Sequence, residues 1–384
     1  MRKLYYKVWL TVVLFCSIVA FAQSQPRARN LGVPFDGSPG PLNAITDVKG
    51  VEVGNTTLIS GDGPLKVGAG PVRTGVTAVL PRGKNTRDAV LAGWFSLNGN
   101  GEMTGAHWVE DSGFLDGPVM ITNTHSVGVV RDAVIQWKVK RGEADMEGYW
   151  WSLPVVAETW DGYLNDINGF HVKAEDAIHA LDSAAAGPVP EGNVGGGTGM
   201  ICNEFKGGIG TSSRVLTAKQ GGYTVGVLVQ CNYGEREQLR IAGIPVGREI
   251  PGPKIWDDDT GSIIVVVATD APLIPTQLKR MARRVSLGLG RDGSYSGDGS
   301  GDLFIAFSTA NSDAISPKGL RHITMLPNRQ LDSLFLATVQ ATEEAVVNAM
   351  VAAETMTGIN GKTVPALPHD KLREVLKKYN RLAN

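Results

Sequence analysis

A chain of 384 residues, 42% hydrophobic and 20% charged, has the balance of a folded globular protein with enough length to bury one large core or two smaller ones. The formal net charge of -1 and the lack of any sustained Lys/Arg run argue against nucleic acid or an anionic membrane surface as the main partner, and favour a small or peptidic ligand. With 48 glycines and 20 prolines the chain is rich in turn formers, and a β-containing architecture is expected.

At the start, Arg2, Lys3 and Lys7 precede an apolar run from Val8 to Phe21, and Ala20-Phe21-Ala22 supplies a small-x-small cleavage site before Gln23. The run is shorter than the roughly 20 residues that span a bilayer. Residues 1–22 therefore read as a secretory signal that is removed, rather than as a retained anchor, and the mature protein is expected to be secreted, in the periplasm, with no further membrane association. Cys16, inside the run, follows the bulky Phe15 and is a poor lipidation site. The mature chain keeps Cys202 and Cys231, which fit either one disulfide or two buried thiols.

From Arg27 to Arg73 the chain is turn-rich, with a short strand near Gly50 to Leu58. Apolar runs at Gly75–Leu80, Ala89–Leu97 and Pro118–Thr122 read as strands, and Ser126 to Val139 as a helix capped by Ser126. Trp151–Leu164 and Ala174–Ala185 have helical spacing. A glycine-rich stretch from Gly192 to Gly210 leads into strands at Thr211–Ala218 and Tyr223–Gln230. Beyond it come a strand from Ser262 to Thr269, a helix over Pro275–Leu289, a glycine-rich loop from Gly290 to Gly301, and a strand over Leu303–Ser308. A long helix follows Pro327-Asn328, with Leu331, Leu334, Phe335, Thr338, Thr342, Ala345 and Ala349 on one face, and an amphipathic helix closes the chain over His369–Leu382. No repeat or low-complexity linker divides the mature chain, so one domain is expected. Strands arrive in groups and helices in long pieces, which predicts an α/β layered fold, an αββα sandwich, rather than a doubly wound sheet.

The chain holds no H-E-x-x-H, no G-x-S-x-G and no G-x-x-x-x-G-K-[ST], and the glycines of Gly195–Gly210 lack the lysine and the strand-loop-helix setting of a phosphate cradle. The six histidines show no ligand spacing; His107 and His125, beside small polar residues, are the ones that could line a pocket. No metal or organic cofactor is implied. What stands out is W-D-D-D-T-G-S-I-I-V-V-V-A-T-D, Trp256 to Asp270, where Ser262 heads an apolar β-branched run directly after an acidic turn. A serine whose own α-amino group is the general base needs no histidine, because a free α-amine titrates near about 8. The chain must first be cut in front of it. Gly261, without a Cβ, permits a strained backbone and leaves its carbonyl open to attack by the Ser262 hydroxyl; hydrolysis of the resulting ester would free Ser262 at the head of a rigid strand.

G-S-I-I-V-V-V-A-T-D-A-P-L-I-P-T-Q-L-K-R-M-A-R-R from Gly261, with S-G-D-G-S-G-D-L-F-I-A-F-S-T from Ser296, resembles the self-cleaving family of L-aminopeptidase/D-esterases and β-peptidyl aminopeptidases. Further matching blocks are N-A-I-T-D-V-K-G-V-E-V-G-N from Asn43, L-P-V-V-A-E-T-W-D-G-Y-L-N-D-I from Leu153, G-T-G-M-I-C-N-E-F-K-G-G-I-G-T-S-S-R from Gly197 and A-A-E-T-M-T-G from Ala352, so the likeness covers nearly all of the mature chain. It implies an αββα sandwich related in shape, not in connectivity, to the N-terminal-nucleophile hydrolases. It implies autocleavage at Gly261-Ser262 into a large chain, 23–261, and a small chain, 262–384, of one catalytic domain. By the same likeness Ser262 is the nucleophile, Ser300 and Asp302 assist it and its amine, Asn232 in V-Q-C-N-Y-G is the oxyanion donor, and Glu158 binds the substrate's N-terminal ammonium. The family tyrosine two residues after that glutamate is replaced here by Trp160, which is left as a substrate-pocket residue, with Tyr163 a candidate to compensate.

The expected function is a secreted, self-processing serine aminopeptidase acting on small peptides, amides or esters with a free N-terminal amine, without cofactor, as a homo-oligomer; the resemblance implies a tetramer of processed heterodimers. Preference for α-amino, β-amino or D-configured residues stays open. An acyl transferase resembling ornithine acetyltransferases is disfavoured because those use threonine and act inside the cell; a binding protein that kept the fold and lost the chemistry is the alternative from another class.

Overall fold

The computed structural model describes residues 26–144, 147–256, 260–314 and 319–383; the expected leader, residues 1–22, and the acidic residues 257–259 lie outside the described residues. In chain order the elements are β1 (Glu52–Ser60), β2 (Val72–Leu80), β3 (Val90–Gly99), α1 (Ala106–Ser112), β4 (Phe114–Leu115), β5 (Val119–Asn123), α2 (Val127–Lys140), β6 (Val155–Thr159), α3 (Ala174–Asp182), β7 (Ile201–Cys202) and β8 (Phe205–Lys206). They continue with β9 (Gly208–Val215), β10 (Thr224–Asn232), α4 (Val246–Glu249), β11 (Thr260–Thr269), α5 (Pro275–Arg291), β12 (Gly299–Ser308), α6 (Asp332–Val351), β13 (Met356–Thr357), β14 (Thr363–Val364) and α7 (His369–Lys378).

Two sheets form the centre. One has the strand order β1-β2-β5-β6, the other β4-β3-β12-β11-β10-β9. The alternation of side chains along the strands shows how they stack. Ile264, Val266 and Ala268 of β11, with Leu303, Ile305 and Phe307 of β12, meet Val79, Val119, Ile121, Val155 and Ala157 in a core between the sheets. The intervening Ile263, Val265, Val267, Phe304 and Ala306 face the other way, against Leu278, Met281 and Val285 of α5 and Ala341, Ala345 and Val346 of α6. Val76, Ala78, Met120 and Val156 pack outward against Val130, Val134, Ala177 and Leu181 of α2 and α3. The layers are thus α2/α3, sheet, sheet, α5/α6, the αββα sandwich expected. Buried on both faces, Ile263 to Ala268 read as an unbroken apolar run, and each large side chain contributes roughly 2 kcal/mol by burial.

Two parallel pairs carry the site. β5 and β6 run parallel with α2 between them in the chain; β11 and β12 run parallel with α5 between them. Trp151–Leu164 is not a helix: Val155–Thr159 is strand β6, because its Val-Val-Ala core is buried within the sandwich and pairs along β5. The glycine-rich stretch before Leu303 is likewise partly strand, since β12 begins at Gly299 and carries Ser300, Gly301 and Asp302 in register with Gly261, Ser262 and Ile263. Ser126 stands before α2 without a side-chain cap bond; the bond at this corner is made by Asn123, whose side chain accepts from the His125 N–H. Cys202 and Cys231 form a disulfide joining β7 to β10.

Candidate active site

β11 does not begin at Ser262 after a turn; it begins at Thr260 and runs through the Gly261-Ser262 bond, with Ser262 opposite Asn232 of β10 and Gly301 of β12. Gly261 has φ +141°, and a Cβ there would lie 2.3 Å from the Asn232 carbonyl oxygen and 2.9 Å from the Tyr233 Cα, so only glycine fits. The Ser262 Oγ donates to the Gly261 carbonyl oxygen at 2.6 Å, which sets the hydroxyl against the carbonyl group that precedes it.

On the next strand, Ser300 donates from its Oγ to Asp302 Oδ1 at 2.6 Å, and Ser296 donates to Asp302 Oδ2 at 2.5 Å. Ser300 and Asp302 are both buried, so two hydroxyls satisfy the carboxylate away from bulk water. Gly301 between them lets the loop after β3 lie against the strand: a Cβ on it would meet the Asn100 carbonyl oxygen at 2.2 Å. This loop brings the Glu102 N–H to Glu158.

Glu158 is buried near the end of β6. Its Oε1 accepts from the Glu102 N–H at 2.9 Å and its Oε2 from the Thr124 hydroxyl at 2.5 Å. Burial raises its pKa above the ordinary carboxylate value, with the bonds from Thr124 and Glu102 opposing the shift. Asn232 is held at both ends of its amide: Oδ1 accepts from the Ile201 N–H at 2.8 Å, and Nδ2 donates to the Trp160 carbonyl oxygen at 3.0 Å. One of the two Nδ2 hydrogens is used in this way.

An open cleft of about 610 Å³ is lined by Asn100, Thr124, Glu158, Asn232, Gly261 and Ser262, with Trp160 and Trp256 as its aromatic wall. Trp160 is 42% exposed, and its ring meets the Trp256 ring edge-on at 6.1 Å. Its backbone, not its indole N–H, touches Asn232. Tyr163 also packs edge-on with Trp256, at 5.2 Å, under the Lys362 ammonium. The structure thus brings Glu158, Trp160, Asn232, Gly261 and Ser262 to one cleft, with Ser300 and Asp302 on the strand beside Ser262. Among the described residues no histidine lines it, and no group of three or more His, Cys, Asp or Glu converges as a metal site requires.

Thr124, the Asn100–Glu102 loop and Trp256 were not legible as site residues. Trp256 has a signal only in hindsight, as the aromatic residue just ahead of the acidic triplet; its N–H and that of Ile255 are held by the Glu204 carboxylate at 3.1 and 2.6 Å.

A model of peptidase family S58 matches residues 43–364. The chain is 58% identical over 374 residues to a β-peptidyl aminopeptidase of Sphingosinicella microcystinivorans, covering 93% of each. It superposes with a TM-score of 0.88 on the L-aminopeptidase D-Ala-esterase/amidase of Ochrobactrum anthropi, described as a prototype for the serine aminopeptidases and a variant of the Ntn hydrolase fold, at 50% identity over 94% of this chain and 100% of that one. A β-aminopeptidase of Burkholderia sp. matches at TM-score 0.84 and 47% identity, over 92% and 99% of the two chains.

Proposed function

The chain belongs to peptidase family S58 and is a hydrolase of the aminopeptidase type; from that premise we propose that it processes itself at Gly261-Ser262 and then uses Ser262 as an N-terminal serine nucleophile. The observation that carries this reading is the strained, glycine-only strand at residue 261 with the Ser262 hydroxyl held against the carbonyl group in front of it. In processing, the Ser262 Oγ bonds to the Gly261 carbonyl carbon, the C–N bond breaks, and the nitrogen takes the hydroxyl proton. Water then cleaves the ester, leaving a carboxylate on Gly261 and a free amine and hydroxyl on Ser262.

In turnover, Glu158 binds the ammonium of the substrate's first residue and so selects free N-termini; an internal or blocked residue would leave a buried carboxylate unpaired. The Ser262 Oγ attacks the first carbonyl, its own α-amine takes the proton and passes it to the amine that leaves as the C–N bond breaks, and the second Nδ2 hydrogen of Asn232 binds the oxyanion, a contact worth about 3 kcal/mol in comparable sites. Water, giving its proton to the same α-amine, then cleaves the acyl ester, which releases the first residue as its carboxylate and returns the proton to Ser262 Oγ. Ser300, already bonded to Asp302, can accept from the Ser262 ammonium, and the carboxylate behind it favours that charged form. Trp160 and Trp256 hold the substrate side chain. The substrates are short peptides, amides or esters, and the likeness to β-peptidyl aminopeptidases supports β-amino first residues among them. Cys202–Cys231 supports an oxidising compartment, which agrees with removal of residues 1–22 on export to the periplasm.

Intact mass and N-terminal sequencing of wild type beside Ser262→Ala test the proposal. Wild type is expected as two chains, the smaller beginning Ser-Ile-Ile-Val, with turnover of alanine and β-homoalanine anilides; the variant is expected as one inactive chain. A folded wild type that stays whole yet turns over substrate would refute it.

A further inference from the structure

Lys206, on β8, is fully buried. Among the described residues no carboxylate is in ion-pair contact with it, and burial alone lowers its pKa, to about 7. Its Nζ donates to three main-chain carbonyls, those of Met200 at 2.8 Å, Gly207 at 2.9 Å and Gly197 at 3.3 Å. A buried ammonium without a counter-ion is expensive. Its direction of influence is set by what those carbonyls belong to.

The Met200 carbonyl shares one peptide group with the Ile201 N–H, and that N–H donates to Asn232 Oδ1. The Asn232 side chain is a second amide, accepting at oxygen and donating at nitrogen. Lys206 therefore stands at the head of a chain of two conjugated amides, each polarised in the same sense: Nζ to the Met200 carbonyl, Ile201 N–H to Oδ1, and from Nδ2 one hydrogen to the Trp160 carbonyl, leaving the other for the cleft that Asn232 lines with Ser262. Hydrogen bonds in such a chain strengthen one another in a low-dielectric interior. We infer that Lys206 is a positioning residue of the oxyanion site, fixing Asn232 and strengthening its amide as donor when negative charge develops on the substrate carbonyl oxygen. This rests on the reading of Asn232 as that donor. In its protonated form, and with no carboxylate paired to it, the lysine carries a charge that is available to the oxyanion; its hydrogen bond to the Met200 carbonyl acts in either form.

A double-mutant cycle on purified, processed enzyme tests the inference, with cleaved chains counted by intact mass and folding checked by circular dichroism. Lys206→Met is expected to lower kcat about tenfold to a hundredfold with KM within twofold. It should weaken a substrate-like boronic acid, whose serine adduct is a tetrahedral anion, by the same factor as kcat/KM, and leave the affinity for the free amino acid product unchanged. Asn232→Ala is expected to lose about a hundredfold or more in kcat. Adding Lys206→Met to it should change kcat less than threefold, because the chain is already cut. Lys206→Gln, which keeps a neutral donor for the carbonyls, is made in parallel. The inference is overturned by a Lys206→Met enzyme with wild-type kcat, by equal losses on both backgrounds, by parallel loss of product affinity, or by failure of both lysine variants to fold. An impaired Asn232→Ala beside an unimpaired Lys206→Met sinks the lysine's role alone; a silent Asn232→Ala removes the premise itself.

Discussion

Gly261→Ala separates processing from catalysis. At φ +141° an alanine carries strain of about 1–3 kcal/mol, and its Cβ would sit 2.3 Å from the Asn232 carbonyl oxygen. Ordinary van der Waals contact of a Cβ begins at 3.4 Å, so the strand must retreat by about 1 Å. Neither neighbour yields easily, because the Asn232 oxygen and the Tyr233 Cα are both backbone atoms, the one in the last residue of β10 and the other in the residue after it. The scissile carbonyl moves with the strand, and a misplacement of about 1 Å costs on the order of a hundredfold in rate. Self-cleavage, followed by gel densitometry or intact mass over time, is therefore expected to slow by about that factor. Once cut, residue 261 is the end of the large chain and no longer bonded to the nucleophile, so kcat per cleaved chain should stay within about twofold of wild type. Cleavage at the wild-type rate would refute the claim that this backbone is built for processing; a cleaved but inactive variant would refute the separation of the two roles.

Glu158→Gln should raise KM for free-amine substrates about a hundredfold, in line with truncating one partner of a buried charge pair, with kcat little changed. Because burial raises the carboxyl pKa, kcat/KM in wild type should fall on the acid side within a range above that of an ordinary carboxylate, and this limb should vanish in the variant; an unchanged KM would refute the assignment. Stability should also depend on pH in two opposed windows. Asp161 and Glu191 are each pushed up to about 7 by burial, the latter against the pull of Arg27. The folded chain thus keeps protons that the unfolded chain releases near about pH 4, and stability falls as pH rises through this window to 7. Lys206, lowered to about 7, acts in reverse above that: the unfolded chain binds a proton that the folded one lacks, so stability recovers toward the ordinary lysine range near about 10. Thermal melts should show Tm declining from about pH 5 to 7 and rising by a few degrees from 7 to 9, the rise being absent in Lys206→Met; a Tm flat across the range would contradict both shifts.

The legible parts of the fold are those whose pattern has one reading. Ile263–Ala268 is too short for a buried helix and too β-branched to be anything but a core strand, while α5 carries a proline at its first turn and an apolar stripe. Trp151–Leu164 misled because its apolar residues fall at helical spacing, whereas Val155–Ala157 is a short strand covered on both faces, and periodicity alone does not separate the two. Ser300 was hidden among glycines that look like a loop; Gly301 beside it is there because the Asn100 backbone presses on β12, a contact from a segment roughly 200 residues away in the chain. Ser262 was legible as a candidate from chemistry, since a serine whose own amine can serve as base needs no histidine, although Gly-Ser turns ahead of strands are common; Asn232 and Glu158 came from family resemblance, and Lys206 had no signal because a lone lysine in a strand ordinarily faces water.

Topology supplies what no local motif holds. The two strands of the six-stranded sheet that would belong to the small chain, β11 and β12, lie between β3 and β10 of the large one. A cut at Gly261-Ser262 would therefore free an amine without freeing a chain, because separation would break both neighbouring ladders and expose the apolar faces of the same sheet. The same placement explains why the pieces of the site can come from so far apart. A residue at the head of a central strand has one neighbour strand on each side, and the proposed mechanism draws on both, Asn232 for the substrate's oxygen and Ser300 for the nucleophile's amine, leaving the facing sheet to supply Glu158 for the substrate's amine.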